Sequence, residues 1–256
     1  MAPSADTLAL MSDIAARILQ SLAAVDVERR RRADAPGLPQ AVEALKAYQQ
    51  RRFARTHAGL LAHPRYGRAA NFFLNELYGP QDFTQRDAQF SRIVPALVRL
   101  FPADTVATVE SLAAVHALSE RLDTAMAIHL AGDAPTRASY VRAWQATGEN
   151  AARARQIELV MSVGEALDRH TRSFVLRASL KAMRGPARAA GMGALQTFLE
   201  GGFDAFGAMG GAKEFLSTIR IRETALIARL FDPSAVAAAT APLAADDDLV
   251  QLPQPP

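Results

Sequence analysis

No cysteine occurs among the 256 residues, which excludes disulfides, thiolate nucleophiles and zinc–thiolate centres. Aromatic residues make up only 7% of the chain, so a place where they gather either pins the fold or binds something. Lysine is almost missing, since 26 of the 29 basic residues are arginine and only Lys46, Lys181 and Lys213 are not. That bias fits a GC-rich coding sequence as well as it fits arginine–phosphate chemistry. No apolar run approaches the length of a membrane span. The first residues carry no basic stretch ahead of their apolar ones, so they do not read as a signal peptide, and a soluble cytoplasmic protein is expected.

Strand signals are also missing. No segment alternates cleanly between polar and apolar residues, and there is no Asn-Gly or Asp-Gly hairpin turn. What is present is Ala, Leu, Arg, Glu and Gln in quantity, all strong helix formers. The fold class expected is all-α: one bundle-like domain of about eight to ten helices over residues 1–232, with a disordered tail over 233–256 rich in Ala, Pro and Asp. Ile14, Ile18, Leu22 and Val25 recur at helical spacing and mark a first helix. It ends in the run Arg29 to Arg32, most simply a solvated helix end. A second helix is expected to reach His63-Pro64. Thr84 and Asp87 have capping-box spacing.

The sequence is richest between Tyr66 and Pro102, which holds five of the twelve Phe and two of the four Tyr. Tyr66, Arg68, Phe72, Phe73 and Tyr78 gather ahead of the helix stop Gly79-Pro80. They read either as a buried helix with a rigid turn or as the wall of an apolar pocket with polar handles. Arg86 either joins local caps with Asp82 and Asp87 or offers its planar fork to a ligand carboxylate or phosphate. Eight of the fifteen Gly lie between Gly185 and Gly211. Flanking Phe203 and Phe206, they suit close helix approach or a kinked helix passing a flat ligand.

Chemical motifs are scarce. The segment ending at Phe215, GAMGGAKEF, misses the Walker spacing, and neither a dinucleotide fingerprint nor a nucleophile elbow occurs. His116 and Glu120 share a helix face and form the one candidate metal pair, although no Glu-x-x-His motif accompanies it.

The segment FFLNELYGPQDF, with QRDAQFSRIVPALVRLFP after it, resembles an uncharacterised all-helical family of proteobacterial proteins. FLEGGFDAFGAMGGAKEFLSTIRIRE looks like a second signature of that group, and the two cover about a quarter of the chain. The resemblance implies a helical fold and a bacterial cytoplasmic setting. It carries no activity, no cofactor and no site residues.

From the residues themselves, the leading expectation is a non-enzymatic binding protein for an apolar or planar small molecule or a protein partner. The alternative is a helical haem- or metal-dependent oxygenase, with His57, His63, His116, His129 or His170 as ligand. Interleaved charges of both signs argue against nucleic acid. An uncovered stripe on the first or last helix would support a homodimer.

Overall fold

The computed structural model describes residues 5–77, 80–130 and 135–254, leaving Tyr78 and Gly79 of the expected site outside the described residues. Helix α1 (Ala5–Ala33) buries Ile14, Ile18, Leu22 and Val25 against later helices, as their spacing requires. Stepping on by four and three from Val25 reaches Arg29 and Arg32. Both turn inward to carboxylates, while Arg30 and Arg31 face solvent. The expected solvated helix end is therefore corrected for half of its arginines, and the reason is helical phase.

Helix α2 (Leu38–Thr56) begins with Pro39 in its first turn, where a missing N–H is tolerated. It breaks at His57, earlier than expected, and the short α3 (Ala58–Ala62) follows. His63 is extended, the conformation favoured before a proline. Helix α4 (Gly67–Phe72) then runs directly into a π-helical turn at Phe73–Leu77, a rare element that tends to occur at functional sites.

Helix α5 (Thr84–Leu100) contains Pro95, and α6 (Ala103–Ala127) ends in a 3-10 turn at Ile128–Leu130. The capping box expected from Thr84 and Asp87 does not form. Asp82 accepts from the Thr84 N–H instead, and Asp87 is drawn inward by Arg29 and His116. A capping box does open α7 (Arg137–Thr147), between Thr136 and Ser139. Then come α8 (Asn150–His170), α9 (Phe174–Ala182), α10 (Arg184–Ala189), α11 (Gly193–Met209), α12 (Lys213–Phe231) and α13 (Ala235–Ala238). Among the described residues nine helices are nine residues or longer and there is no strand, so the protein is all-α.

Beyond Pro233, where a tail was expected, the described residues pack. A 3-10 turn at Asp248–Gln251 inserts Leu249, and Leu252 follows it into the interior. Asp247 is held by Arg229 at 2.9 Å, and the Tyr48 hydroxyl donates to the Pro253 carbonyl at 3.0 Å. Two leucines and one clamp order this low-periodicity stretch, a pattern too sparse for sequence periodicity to register.

Buried apolar residues form three clusters rather than one contiguous core. The first joins α1, α5, α6 and α11 through Ile18, Leu22, Phe90, Val94 and Leu195. The second joins α2, α7, α12 and the C-terminal turn through Leu45, Tyr48, Tyr140, Trp144 and Leu249. The third joins α4, α8, α11 and α12 through Ala69, Met161, Phe206 and Phe215. Close packing brings α4 onto α11: the Phe72 ring lies over Gly201 and Gly202, and a Cβ on Gly202 would come within 3.0 Å of that ring. Helix approach therefore accounts for these two glycines.

Candidate functional site

Between the three clusters lies a cavity of about 200 Å³. Its walls take residues from every cluster, including Leu22, Phe90 and Leu195 from the first, Tyr140 and Trp144 from the second, and Phe206 and Ile219 from the third. Charged side chains line it too: Lys46, Arg52, Arg86, Asp87, Glu120, Asp123, Arg153 and Glu223. Helical phase put them there. On α2, Gln49 and Arg52 continue the buried face of Leu45 and Tyr48; on α12, Glu223 falls between Ile219 and Leu226.

The carboxylates are not treated alike. Glu223 is bound by Arg52 and by His57 Nε2, the latter at 2.8 Å. Burial pushes its pKa up, but Arg52 and His57 more than reverse this and hold it at about 2. Glu120 receives Lys46 on Oε1 and Arg32 on Oε2, both at 2.5 Å. There too burial is outweighed, by Lys46 and then Arg32, and the pKa is held at about 2. Asp87 accepts from Arg29 at 2.5 Å and sits 2.9 Å from His116 Nε2. Burial raises its pKa, and these two partners bring it below the usual carboxylate range.

Asp123 lies one helical turn from Glu120 and fares differently. It accepts from the neutral amide of Gln49 at 3.1 Å, and burial raises its pKa above the ordinary value. Beside it Arg153 lies 4.0 Å over the Trp144 ring. The Trp144 indole N–H is buried and finds no acceptor among the described residues.

Arg86 differs again. Its guanidinium lies 3.9 Å from the Phe83 ring centre and 4.2 Å from that of Phe198. Nη1 donates to the Glu76 carbonyl of the π turn at 3.0 Å. The carboxylates of Glu76 and Asp87 stand off at 4.0 Å.

Of the residues singled out from sequence, Phe73, Arg86, His116 and Glu120 meet at this cavity. The others do not. Tyr66 is in the third cluster and donates to Glu214 at 2.6 Å, Arg68 is exposed, and Phe72 packs on the glycines of α11. Phe203 is half-buried with Arg177 above it. As a metal pair, His116 and Glu120 are compromised because Asp87 takes the imidazole Nε2 and two cations take the carboxylate. Among the described residues no three His, Asp or Glu side chains are placed to hold a metal ion. His63 and His129 are exposed, and His170 Nε2 is 3.0 Å from the Thr108 hydroxyl.

Sequence reading missed Lys46, Gln49, Arg52, Asp123, Arg153 and Glu223. The available signal was polar residues in phase with an apolar stripe, and their partners lie on other helices.

An all-helical domain with a charged cavity at the junction of three cores is the class that fold and site define. The chain belongs to the family described as a domain of unknown function (DUF8198), whose model matches residues 28–236. That span includes every charged residue of the cavity. No curated protein and no solved structure matched the chain. No helix among the described residues is long and apolar enough to cross a membrane.

Proposed function

We propose that this protein binds a small, largely apolar molecule with one polar group in the cavity between its three cores. The cavity itself carries the reading. A space of about 200 Å³ is several times what a single water needs, and its lining is apolar over most of its wall with polar groups at fixed places. An engineered apolar cavity of about 150 Å³ takes up benzene, so one ring with a substituent is the right scale. Haem is too large for this space, which disfavours the haem form of the oxygenase alternative.

Walls of Phe, Leu, Val and Ile supply the apolar contact, and the buried polar groups supply orientation. Trp144 is the only tryptophan of the chain and lines the cavity, so its emission reports on occupancy. Toluene is expected to change that emission saturably and to raise the melting temperature. Ala113→Phe, which fills the space from α6, should abolish both responses. If neither toluene nor benzoate produces a response, and Ala113→Phe simply raises the melting temperature, the space is a packing void and the reading fails.

A protein partner is the second reading, favoured by Phe174 and Val175. They stand 82% and 70% exposed at the start of α9, a helix with no buried residue. Phe174→Ser should then weaken capture of that partner without lowering the melting temperature. A purified complex that withstands the substitution would remove this reading.

A further inference from the structure

Resting on the cavity reading above, we infer that the molecule it takes is a small organic carboxylate and that Arg86 receives the charged group. Three observations converge on this residue. First, the remaining carboxylates of the wall are already committed. Glu120 and Glu223 each have two partners, Asp87 has Arg29 and His116, and Asp123 accepts from the Gln49 amide. Second, Arg86 is a cation whose side chain is only 14% exposed, yet no carboxylate among the described residues comes closer to it than 4.0 Å. Asp87, the more buried of the two, already has Arg29 and His116 as closer partners. An anion arriving at Arg86 therefore meets a cation whose nearest carboxylates stand 4.0 Å away and leave room for a closer partner.

Third, the geometry suits a planar acid. Stacking against Phe83 and Phe198 leaves the donors along the guanidinium edge to make polar contacts, and one of them already reaches the Glu76 carbonyl. That edge is the fork that binds carboxylates in bidentate fashion, shorter and stronger than a neutral hydrogen bond. Around it Phe73, Phe90, Leu195, Phe198 and Leu199 line the same cavity and offer an apolar seat for the rest of the molecule. The π turn that supplies the Glu76 carbonyl also carries Phe73, so an irregular backbone element places both the polar and the apolar contact.

Calorimetric titration of the full chain with benzoate, benzamide and toluene separates the elements of this inference. Benzoate is expected to bind at least tenfold tighter than benzamide, since the two share a shape and differ in charge. Arg86→Gln should erase that preference, leaving benzoate and benzamide with affinities within twofold of each other. Arg86→Lys, which keeps charge but loses the fork, should retain part of it. Equal affinities for benzoate and benzamide in the unaltered protein overturn the inference, and so does an Arg86→Gln protein that still prefers benzoate. Toluene binding with no advantage for benzoate would leave the cavity reading standing and remove the carboxylate alone. Should Arg86→Gln fail to fold, the benzoate-to-benzamide ratio of the unaltered protein and of Arg86→Lys decides.

Discussion

Two regions meet at the cavity, and they are built on opposite terms. The seam contributed by α1, α2, α6 and α12 pairs each of its cations closely: Arg32 and Lys46 on Glu120, Arg52 on Glu223. The aromatic side, from the π turn into α5, holds Arg86 against phenyl rings with carboxylates only at a distance. In the seam every one of these cations touches a carboxylate from another helix, so its role is to fix how four helices meet. On the aromatic side one charge rests on rings, with its two carboxylates each 4.0 Å away, and the carboxylate proposal turns on that difference.

The sharpest way to break this comparison is to remove one partner from the seam. Glu223→Ala leaves Arg52 and His57 buried without their anion, and such losses cost about 3–5 kcal/mol. In urea unfolding the midpoint should fall by that free energy divided by the slope, with the slope itself unchanged. Arg86→Gln strands no closely paired carboxylate, so its cost in the same experiment should stay below about 1.5 kcal/mol. Similar costs for the two variants would mean that Arg86 is one more structural pair.

Next in size is the contrast within α6. Glu120→Gln leaves two cations facing a neutral amide and is expected to cost about 2–4 kcal/mol. Asp123→Asn keeps an acceptor for Gln49 while removing a carboxylate that burial already disfavours as an anion, so it should change stability by less than about 1 kcal/mol at pH 7. Equal costs would show that the two carboxylates are held alike. Beyond the cavity, Leu249→Ala tests whether the C-terminal turn belongs to the fold, with a loss of about 2–4 kcal/mol expected for a fully buried leucine.

The pH dependence is the mildest test. Glu120 and Glu223 are held at about 2, below the ordinary value of 4.5, so folding keeps their protons off more strongly than unfolding does. Their stabilisation is fully present above the unfolded value and drains away as pH falls from about 4.5 towards about 2. Asp123 runs the other way: its raised pKa favours the fold under acid and withdraws that contribution as pH rises through the folded value. Melting temperatures of Glu120→Gln should therefore vary less with pH over the acidic window than those of the unaltered chain.

Much of the helical skeleton was legible. The stripe on α1 and the first helix's end near its arginine run follow from spacing and charge rules that act within a few residues. At the site legibility was partial. Phe73 and Arg86 stood out because aromatics are scarce and a turn separates them, and both line the cavity. Phe72 and Tyr66 carried the same signal and serve packing, because a ring's neighbours come from α11 and α12, over a hundred residues away. The solvated reading of Arg32 failed because its carboxylate is 88 residues further on.

What the sequence determined by itself was therefore local: an all-helical chain, where most helices begin and end, and which residues share a face. Periodicity and capping depend on neighbours within one or two turns, and these are written consecutively. Only the tertiary structure decided that three cores would leave a hollow between them and that Arg86 would line it with no carboxylate of the described residues closer than 4.0 Å. Those outcomes depend on helices brought together from across the chain, and the energy of a buried charge is set by the partners that arrive there.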